Sequence, residues 1–379
     1  MKILYIITNL NLGGAEVQLY KLVENLKNDH KIKVISLLSK GDIGDNLVKL
    51  GVELRIIDFS KKRWMLISFL ELCSAILKFK PDVVHTWMYH ANLIGGLAAK
   101  VSRVRNILWS IHHNDLSVAH NKLSTVIIAR IGAFISNFVP IEVICVSNDS
   151  IKRHIKFGYN RKKMIFIPNG IDVIEFSYIN NARKRLFSDY DFPDDAKLIG
   201  FASRFDPIKN HEGFFACIAD IRITNPQINM QIILSGKNID KNNIGLVTMI
   251  NKYDLFECVH LMGLIDDMPV FMSSLDLIVS TSFSEAFSLV LAEALSCETL
   301  CVTSIEGDTE EVVEGIGKRV PARNLTLLSN AIITMLNIGS LEKSKLKLKG
   351  RDKIKSLYST DIVFDKYKGL YSKYYQQTF

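Results

Sequence analysis

The 379-residue chain has few cysteines and no long apolar run. Its six cysteines form no C-x-x-C pair, which argues against a zinc ribbon or a disulfide scaffold and favours reduced thiols in a cytoplasmic protein. No stretch reaches the ~18 apolar residues that span a bilayer, and the apolar run at residues 3–7 is too short for a signal peptide. The closest candidate, residues 126–139, contains Arg130 and predicts a buried helix instead.

Two common phosphate-binding fingerprints are also missing. Neither G-x-G-x-x-G nor G-x-x-x-x-G-K-[ST] occurs, so the sequence predicts neither a dinucleotide-binding loop of the usual kind nor a P-loop. No internal repeat or low-complexity tract is present. Apolar residues make up 48 % and charged residues 23 %, which is typical of a globular protein, and the length predicts two domains.

The net charge of +8 is unevenly distributed. Residues 1–175 hold 24 Lys and Arg against 14 Asp and Glu, residues 176–340 hold 13 against 21, and residues 341–379 hold 10 against 4. A basic chain with an acidic middle is not typical of a nucleic-acid reader, so no nucleic-acid partner is expected. The pattern instead predicts two lobes with different partners.

The basic first lobe also suggests a membrane surface as a partner. If residues 341–379 pack back onto that lobe, they join its basic face, and the apolar residues after Trp64 lie beside Lys61, Lys62 and Arg63. Such a face is expected to lie on anionic lipid, at the inner side of the plasma membrane. The alternative is a solvated basic surface with the helix after Trp64 packed inside the lobe.

Short apolar runs alternate with helical patterns over residues 1–170 and again after residue 197. This rhythm is typical of parallel sheets covered on both faces. We therefore predict an α/β protein with two tandem Rossmann-like domains and an active site in the cleft between them. The predicted segments are an N-terminal domain at 1–175, a linker at 176–196, a C-terminal domain at 197–360 and a final helix at 361–379 that returns to the first domain.

Three segments carry candidate chemistry. Gly13 and Gly14 lie between the first strand and a helix, where backbone can approach an anion, although many such turns use glycine for geometry alone. Arg204 and Lys209 follow the first strand of the second half, where two cations can clamp a diphosphate or simply lie in a solvated loop.

The third segment runs from Ser282 to Ala294. With a helix predicted at 286–295 and Glu285 at its start, Glu285 and Glu293 would lie about 80° apart and roughly 12 Å along the axis, which suits gripping two ends of one ligand. The amides of Phe287, Ser288 and Leu289 could then receive phosphate. Because Glu293 lies in an apolar stretch, we expect it to be buried and partnered.

These motifs, in this order, resemble those of the retaining glycosyltransferases of family four, which have the GT-B fold. The resemblance covers nearly the whole chain. It rests on the glycine loop before Glu16, on Ile167-Pro168-Asn169-Gly170-Ile171-Asp172, on Arg204 with Lys209, and on Glu285-x7-Glu293. The first half resembles bacterial enzymes of O-antigen or capsule assembly.

The resemblance implies a role for each matched residue. Arg204 and Lys209 would neutralise the departing diphosphate, Glu293 would bind the ribose, and Glu285 would face the transferred sugar. Gly13, Gly14, Asn169 and Gly236 would border the nucleotide sugar. His112, or less closely His113, matches a histidine near that sugar. The family uses no metal and no cofactor beyond its nucleotide-sugar co-substrate.

The sequence departs from the family pattern at four places. Ala286 and Glu298 each stand where glycine is common, and a second glycine is missing after Gly236 and after Gly307. These departures concern loop detail and the identity of the sugar. The string Asp189-Tyr190-Asp191 resembles the metal motif of the other glycosyltransferase fold, but it lies in a polar stretch and is interpreted as solvated surface.

The sequence therefore predicts a cytoplasmic, metal-independent, retaining glycosyltransferase. It would move a hexose, from a UDP-sugar for preference, to a hydroxyl of a lipid-linked glycan in surface polysaccharide assembly. Two alternatives stay open: a nucleotide-sugar 2-epimerase on the same fold, and a non-catalytic sugar-nucleotide-binding subunit.

Overall fold

The computed structural model describes residues 1–61, 64–114, 116–117, 122–188, 190, 192–193, 195–304, 309–321 and 324–376. The chain divides into two compact units. The first comprises Met1–Gly170 with Asp361–Phe379, and the second comprises Ile171–Thr360.

The first unit is built on a seven-stranded parallel sheet in the order β3-β2-β1-β4-β5-β6-β7. Its inner strands are short Val-, Ile- and Leu-rich runs that are mostly buried because helices cover both faces, whereas the two edge strands are in part exposed. The elements in chain order are β1 (Lys2–Ile7), α1 (Gly14–Leu26), β2 (Lys31–Ser36), α2 (Gly41–Lys49), β3 (Glu53–Ile56), α3 (Met65–Phe79), β4 (Val83–Trp87), α4 (Tyr89–Val101), β5 (Asn106–Ile111), α5 (Leu123–Ile135), β6 (Glu142–Cys145), α6 (Asn148–Phe157) and β7 (Met164–Phe166).

Two apolar cores flank this sheet. On one face α3, α4 and α5 pack against residues such as Val84 and Trp109. On the other face the core combines α1 and α2 with the last helix of the chain (Thr360–Gln376). Tyr371 of that helix hydrogen-bonds Nδ1 of the buried His85 at 2.7 Å, and Ser110 bonds its other ring nitrogen at 2.7 Å. These contacts assign His85 a structural role.

The second unit has a six-stranded parallel sheet in the order β10-β9-β8-β11-β12-β13. Its elements are α7 (Ala182–Leu186), β8 (Lys197–Ala202), α8 (His211–Thr224), β9 (Met230–Ser235), α9 (Ile244–Lys252), β10 (Val259–Leu261), α10 (Met268–Ser274), β11 (Leu277–Ser280), α11 (Leu289–Ser296), β12 (Leu300–Thr303), α12 (Thr309–Val313), β13 (Lys318–Arg319), α13 (Leu325–Leu336) and α14 (Ser340–Leu357). The helix of the first unit that follows α14 is α15 (Thr360–Gln376).

The alternation of strand and helix predicted from the sequence is confirmed in both units. One helix differs from its prediction. The stretch 126–139 was expected to be buried, yet its helix α5 leaves Ile127 49 % and Phe134 69 % exposed. The reason is that α5 packs on the sheet through small residues, Ala129, Gly132 and Ala133, and turns its larger side chains outward.

Two segments near the predicted linker and tail lie in the second unit. Within 176–196, helix α7 packs against α10, and Arg183 pairs with Asp276 at 2.5 Å. Residues 341–360, which carry seven of the ten basic residues of the tail, also belong to this unit. The expectation that the whole basic tail joins the first lobe is therefore wrong, because only the segment from Asp361 onward does so.

Among the residues that the structure describes, no single helix is both long and apolar enough to cross a membrane. One consecutive pair, α13 and α14, passes the same test jointly but is bent by 106°.

Candidate active site

Each sheet has one point at which its strand order reverses. In the first unit this point lies between β1 and β4, and in the second it lies between β8 and β11. In open parallel sheets, ligands bind beyond the carboxyl ends of the strands at such a point. The loop with Gly13 follows β1, the loop with Arg204 and Lys209 follows β8, and Glu285 follows β11. The predicted residues of the second unit thus flank its reversal point.

The loop after β8 is shaped by Asp206, which the sequence prediction did not single out. Its carboxylate accepts a hydrogen bond from the amide of Ile208 at 3.0 Å and pairs with Nε of Arg204 at 3.0 Å. Burial alone would raise the pKa of Asp206, but the Ile208 amide and the Arg204 guanidinium outweigh it, and the pKa lies below its usual value. The Asp-Pro pair at 206–207 is a turn signal that could have indicated this role.

The loops after β8 and β11 are tied together by several contacts. Lys209 forms an ion pair with Glu285, and both side chains are less than one-fifth exposed. The Ser282 hydroxyl donates to the same carboxylate at 2.9 Å. The amide of Phe283 donates to the carbonyl of Ile208 at 2.8 Å, and the hydroxyl of Thr281 donates to the carbonyl of Lys209 at 3.0 Å. A cation and a carboxylate are therefore held side by side at the reversal point.

Glu285 does not lie at a helix start, and the predicted helix at 286–295 is wrong in its first turn. Helix α11 begins at Leu289, because Ser288 caps it by accepting a hydrogen bond from the amide of Leu291 at 3.4 Å. The helical spacing of about 80° and 12 Å between Glu285 and Glu293 therefore does not apply. Phe287 precedes the helix, while Ser288 and Leu289 lie at its N-terminal end, where the backbone favours an anion.

Glu293 lies in the middle of α11 and is half-buried, which differs from the full burial expected. The residues around it, Leu291, Ala292, Ala294 and Leu295, are buried. The helix therefore packs through the remaining faces and leaves Glu293 in part accessible. This position permits contact with a ligand.

Gly236 brings the loop after β9 against the loop after β8. Its φ of +146° is one that L side chains rarely adopt, and a Cβ there would lie 2.0 Å from the carbonyl oxygen of Ser203. Only glycine allows this approach.

His211 begins helix α8, directly after the loop that follows β8. Burial lowers the pKa of His211 to about 4, and the nearby Lys209 ammonium lowers it further. His211 is thus a neutral residue at neutral pH.

In the first unit, Gly13 caps helix α1 with extended backbone, so its conformation does not require glycine. A Cβ at Gly13 would lie 2.5 Å from Oε2 of the buried Glu16, so a larger residue there would require the Glu16 side chain to shift. Gln18 of the same helix exchanges two hydrogen bonds of 2.9 Å with the backbone of Gly170. This pair, which sequence reasoning missed, fixes the segment that contains Asn169 against α1.

His112 follows β5 and stacks on Trp87, which ends β4, with ring centroids 4.5 Å apart. Both of its ring nitrogens are covered, and neither makes a well-formed hydrogen bond with a described residue. Burial lowers the pKa of His112 to about 3, and the Asn169 side chain opposes this only in part. His112 is thus a neutral imidazole next to Asn169 at neutral pH.

Two other expectations concern metals. Within the described ranges, no group of three or more His, Cys, Asp or Glu side chains is arranged to hold a metal ion. Asp189 and Asp191 of the D-x-D string lie outside the described residues, as does the stretch 306–308. The assignments of individual site residues stay predictions.

Comparison with known proteins identifies the protein family to which the chain belongs. The family described as Glycosyltransferase Family 4 matches residues 12–175, and the family described as Glycosyl transferases group 1 matches residues 196–337. A UDP complex of HepE from Anabaena superposes with a TM-score of 0.86 at 20 % identity, covering 98 % of this chain and all of that one. That likeness shows the GT-B fold and confirms the predicted fold class.

Two relatives from Escherichia coli are similar in sequence. The O-antigen biosynthesis glycosyltransferase WclY is 24 % identical over 80 % of each chain. A UDP-Gal:α-D-GlcNAc-diphosphoundecaprenol α-1,3-galactosyltransferase is 25 % identical over 79 % of this chain and 80 % of its own. This chain belongs to the group 1 glycosyl transferases of family four. It is a glycosyltransferase, as the sequence predicted.

Proposed function

We propose that this glycosyltransferase transfers a sugar from a UDP-sugar, with retention of configuration, to a hydroxyl of a lipid-linked glycan in surface polysaccharide assembly. The donor assignment is supported by the HepE complexes with UDP and with UDP-glucose. The acceptor assignment is supported by the relative whose acceptor is a diphosphoundecaprenol glycan. The reaction is expected on the cytoplasmic side of the membrane, without a metal ion.

The observation that carries the proposal is the Lys209–Glu285 pair at the reversal point of the second sheet. In the transfer, the bond from the anomeric carbon to the phosphate oxygen breaks, and its electron pair leaves with UDP. Lys209 has further N–H groups, and Arg204 has a fork of donors, to stabilise that charge. Glu285 would then face the sugar, and Glu293 would accept hydrogen bonds from the ribose.

A new bond forms between the acceptor oxygen and the same face of the anomeric carbon, and the hydroxyl proton leaves with the departing phosphate or to water. Gly13, Gly14, Asn169 and His112 of the first unit, together with Gly236, Phe287, Ser288 and Leu289 of the second, are assigned to the nucleotide sugar. His112, neutral at pH 7, would act as a hydrogen-bond partner of the sugar rather than as a cation.

The test is a calorimetric screen of nucleoside diphosphates followed by transfer assays with a chelator present. UDP should bind, and a UDP-sugar with lipid-linked acceptor should release UDP and give a product whose anomeric configuration, measured by NMR, equals that of the donor. Inversion, or a requirement for added metal, would contradict the proposal. Isomerisation of the UDP-sugar without acceptor would favour the epimerase, and binding without turnover would favour the non-catalytic subunit.

A further inference from the structure

Helix α5 of the first unit is apolar on both sides and turns its large side chains away from the core. A surface helix normally turns its large apolar residues to the core. In α5 the core face is made of Ala129, Gly132 and Ala133. The large residues point outward, at 43–69 % exposure, and they follow the three- and four-residue steps of one helix face. These residues are Leu123, Ile127, Ile131, Phe134 and, just past the helix, Phe138.

The neighbouring helices carry further exposed apolar residues. Helix α4 lies between α3 and α5. Exposed residues are added by α3, by the residue just before it and by the last residue of α4. They are Trp64, Met65, Leu66, Ile67, Leu70, Leu77 and Val101. Of 28 exposed large apolar residues in the described part of the chain, 12 thus lie between residues 64 and 138. We name these twelve side chains the α3–α5 face. Clustering of this kind is typical of an interaction surface.

The same segment is strongly basic. Residues 61–140 contain ten Lys and Arg against three Asp and Glu, a net charge of +7. Two of the three acids are already engaged: Glu71 pairs with Arg55 at 2.7 Å, and Asp82 accepts a hydrogen bond from the amide of Lys2 at 2.6 Å. The α3–α5 face therefore lies in a segment that is rich in cations, among them the exposed Lys78, Lys100 and Arg105.

The combination of exposed apolar side chains and cations indicates which kind of partner fits the α3–α5 face. A second copy of the chain would bring two positive faces together, which is unfavourable. A nucleic acid would match the cations but not the exposed Leu, Ile and Phe side chains. A 13-residue helix is only about 20 Å long, too short to cross a hydrocarbon core of about 30 Å, and one side of α5 already packs on the sheet.

We propose that the α3–α5 face lies on an anionic lipid bilayer, with its apolar side chains at the acyl boundary and its cations at lipid phosphates. The inference deepens the proposed function, because it rests on the lipid-linked acceptor and names the surface that would meet its membrane. Vesicle binding is measured without nucleotide or acceptor, so this inference and the proposed function can fail separately.

Tryptophan fluorescence gives a direct readout. The chain has three tryptophans, and Trp87 and Trp109 are buried at 1 % and 0 % exposure, whereas Trp64 is 50 % exposed on the α3–α5 face. Phosphatidylglycerol-containing vesicles should shift the emission to the blue at low salt, and pure phosphatidylcholine vesicles should not. The shift should reverse with added salt and disappear in Trp64→Phe, which should still sediment with the vesicles.

Two matched pairs of variants separate the apolar and ionic parts. The triple change Ile127→Ser, Ile131→Ser and Phe134→Ser should lower vesicle affinity at least tenfold. Its control is the triple change Ile223→Ser, Ile244→Ser and Phe256→Ser, which removes side chains of the second unit that are 70–80 % exposed. The control should leave vesicle affinity unchanged. Replacing Lys78, Lys100 and Arg105 with Ser should lower vesicle affinity about fivefold for each cation removed. Neutralising the exposed Lys345 and Lys355 of α14 should have little effect.

Circular dichroism of each variant confirms that it is folded. Three results would overturn the inference: no binding of the wild-type chain to anionic vesicles at low salt, equal losses in the α5 variant and its control, or binding that ignores salt. A dimer in sedimentation that the α5 variant abolishes would instead assign the face to a second copy.

Discussion

Replacing Lys209 with alanine removes the ammonium group that the loop after β8 holds at the reversal point of the second sheet. The group is less than one-fifth exposed, so its contact with a diphosphate would be poorly screened by water. A hydrogen bond between charged groups in such a place contributes about 1.5–3 kcal/mol. We therefore expect the Kd of UDP to rise roughly 10- to 150-fold in calorimetry.

A second Lys–Glu pair in the same unit provides the control. Lys252 and Glu212 pair at 2.5 Å, but both are more than half exposed, and they lie on α9 and α8. Lys252→Ala should leave UDP affinity unchanged. If Lys209→Ala and Lys252→Ala behave alike, Lys209 does not bind the diphosphate.

The Glu285→Gln variant tests the reasoning from the other partner. Glutamine keeps an acceptor for the Ser282 hydroxyl but removes the charge that competes with phosphate for Lys209. UDP affinity should therefore be equal or higher, while turnover of the UDP-sugar falls. If both variants lose UDP affinity to the same extent, the pair merely supports the loops, and the assignment of Lys209 is refuted.

Three further predictions follow from the site and the buried histidines. Glu293→Ala should weaken UDP binding in calorimetry, and an affinity equal to that of the wild type would remove its assignment to the ribose. Gly236→Ala should lower the melting temperature more than Gly263→Ala does, because both glycines have positive φ but only the first would clash with the Ser203 carbonyl; equal effects would contradict this. The pKa values of His112, His154 and His211 are lowered to about 3, 4 and 4 by burial, so below pH ~6.5 the unfolded chain takes up protons that the folded chain does not. The free energy of unfolding should then fall by up to about 1.4 kcal/mol per pH unit per histidine between pH ~6 and ~4, and thermal melts at pH 7 and 5 in which His154→Gln does not reduce the difference would contradict it.

The parallel sheets were predictable because a strand buried on both faces reads as a short apolar run wherever it occurs. Helix starts were less predictable. The apolar residues from Ala286 onward favour an early helix, but the hydroxyl of Ser288 satisfies an amide of the first turn and sets the start at Leu289. A capping serine followed by an apolar run was the available signal.

The Lys209–Glu285 pair could not be read from the sequence. Its members are separated by 76 residues, and they meet because β8 and β11 are neighbours in the sheet while their order in the chain is not consecutive. The outward face of α5 had a weak signal. When a helix is apolar on all sides, its sequence pattern does not indicate which side faces the core. The small residues Ala129, Gly132 and Ala133, however, lie at helical spacing and indicate the buried side.

The buried contacts of Tyr371 with His85 and Tyr5 have a consequence for biosynthesis. The second unit is continuous in the chain, so it can fold as soon as Thr360 has left the ribosome. The first unit is made earlier, yet one of its two cores stays open until α15 emerges. Part of its apolar surface therefore stays exposed while some 190 further residues are synthesised. We expect chaperones that shield nascent chains to bind this surface during that interval.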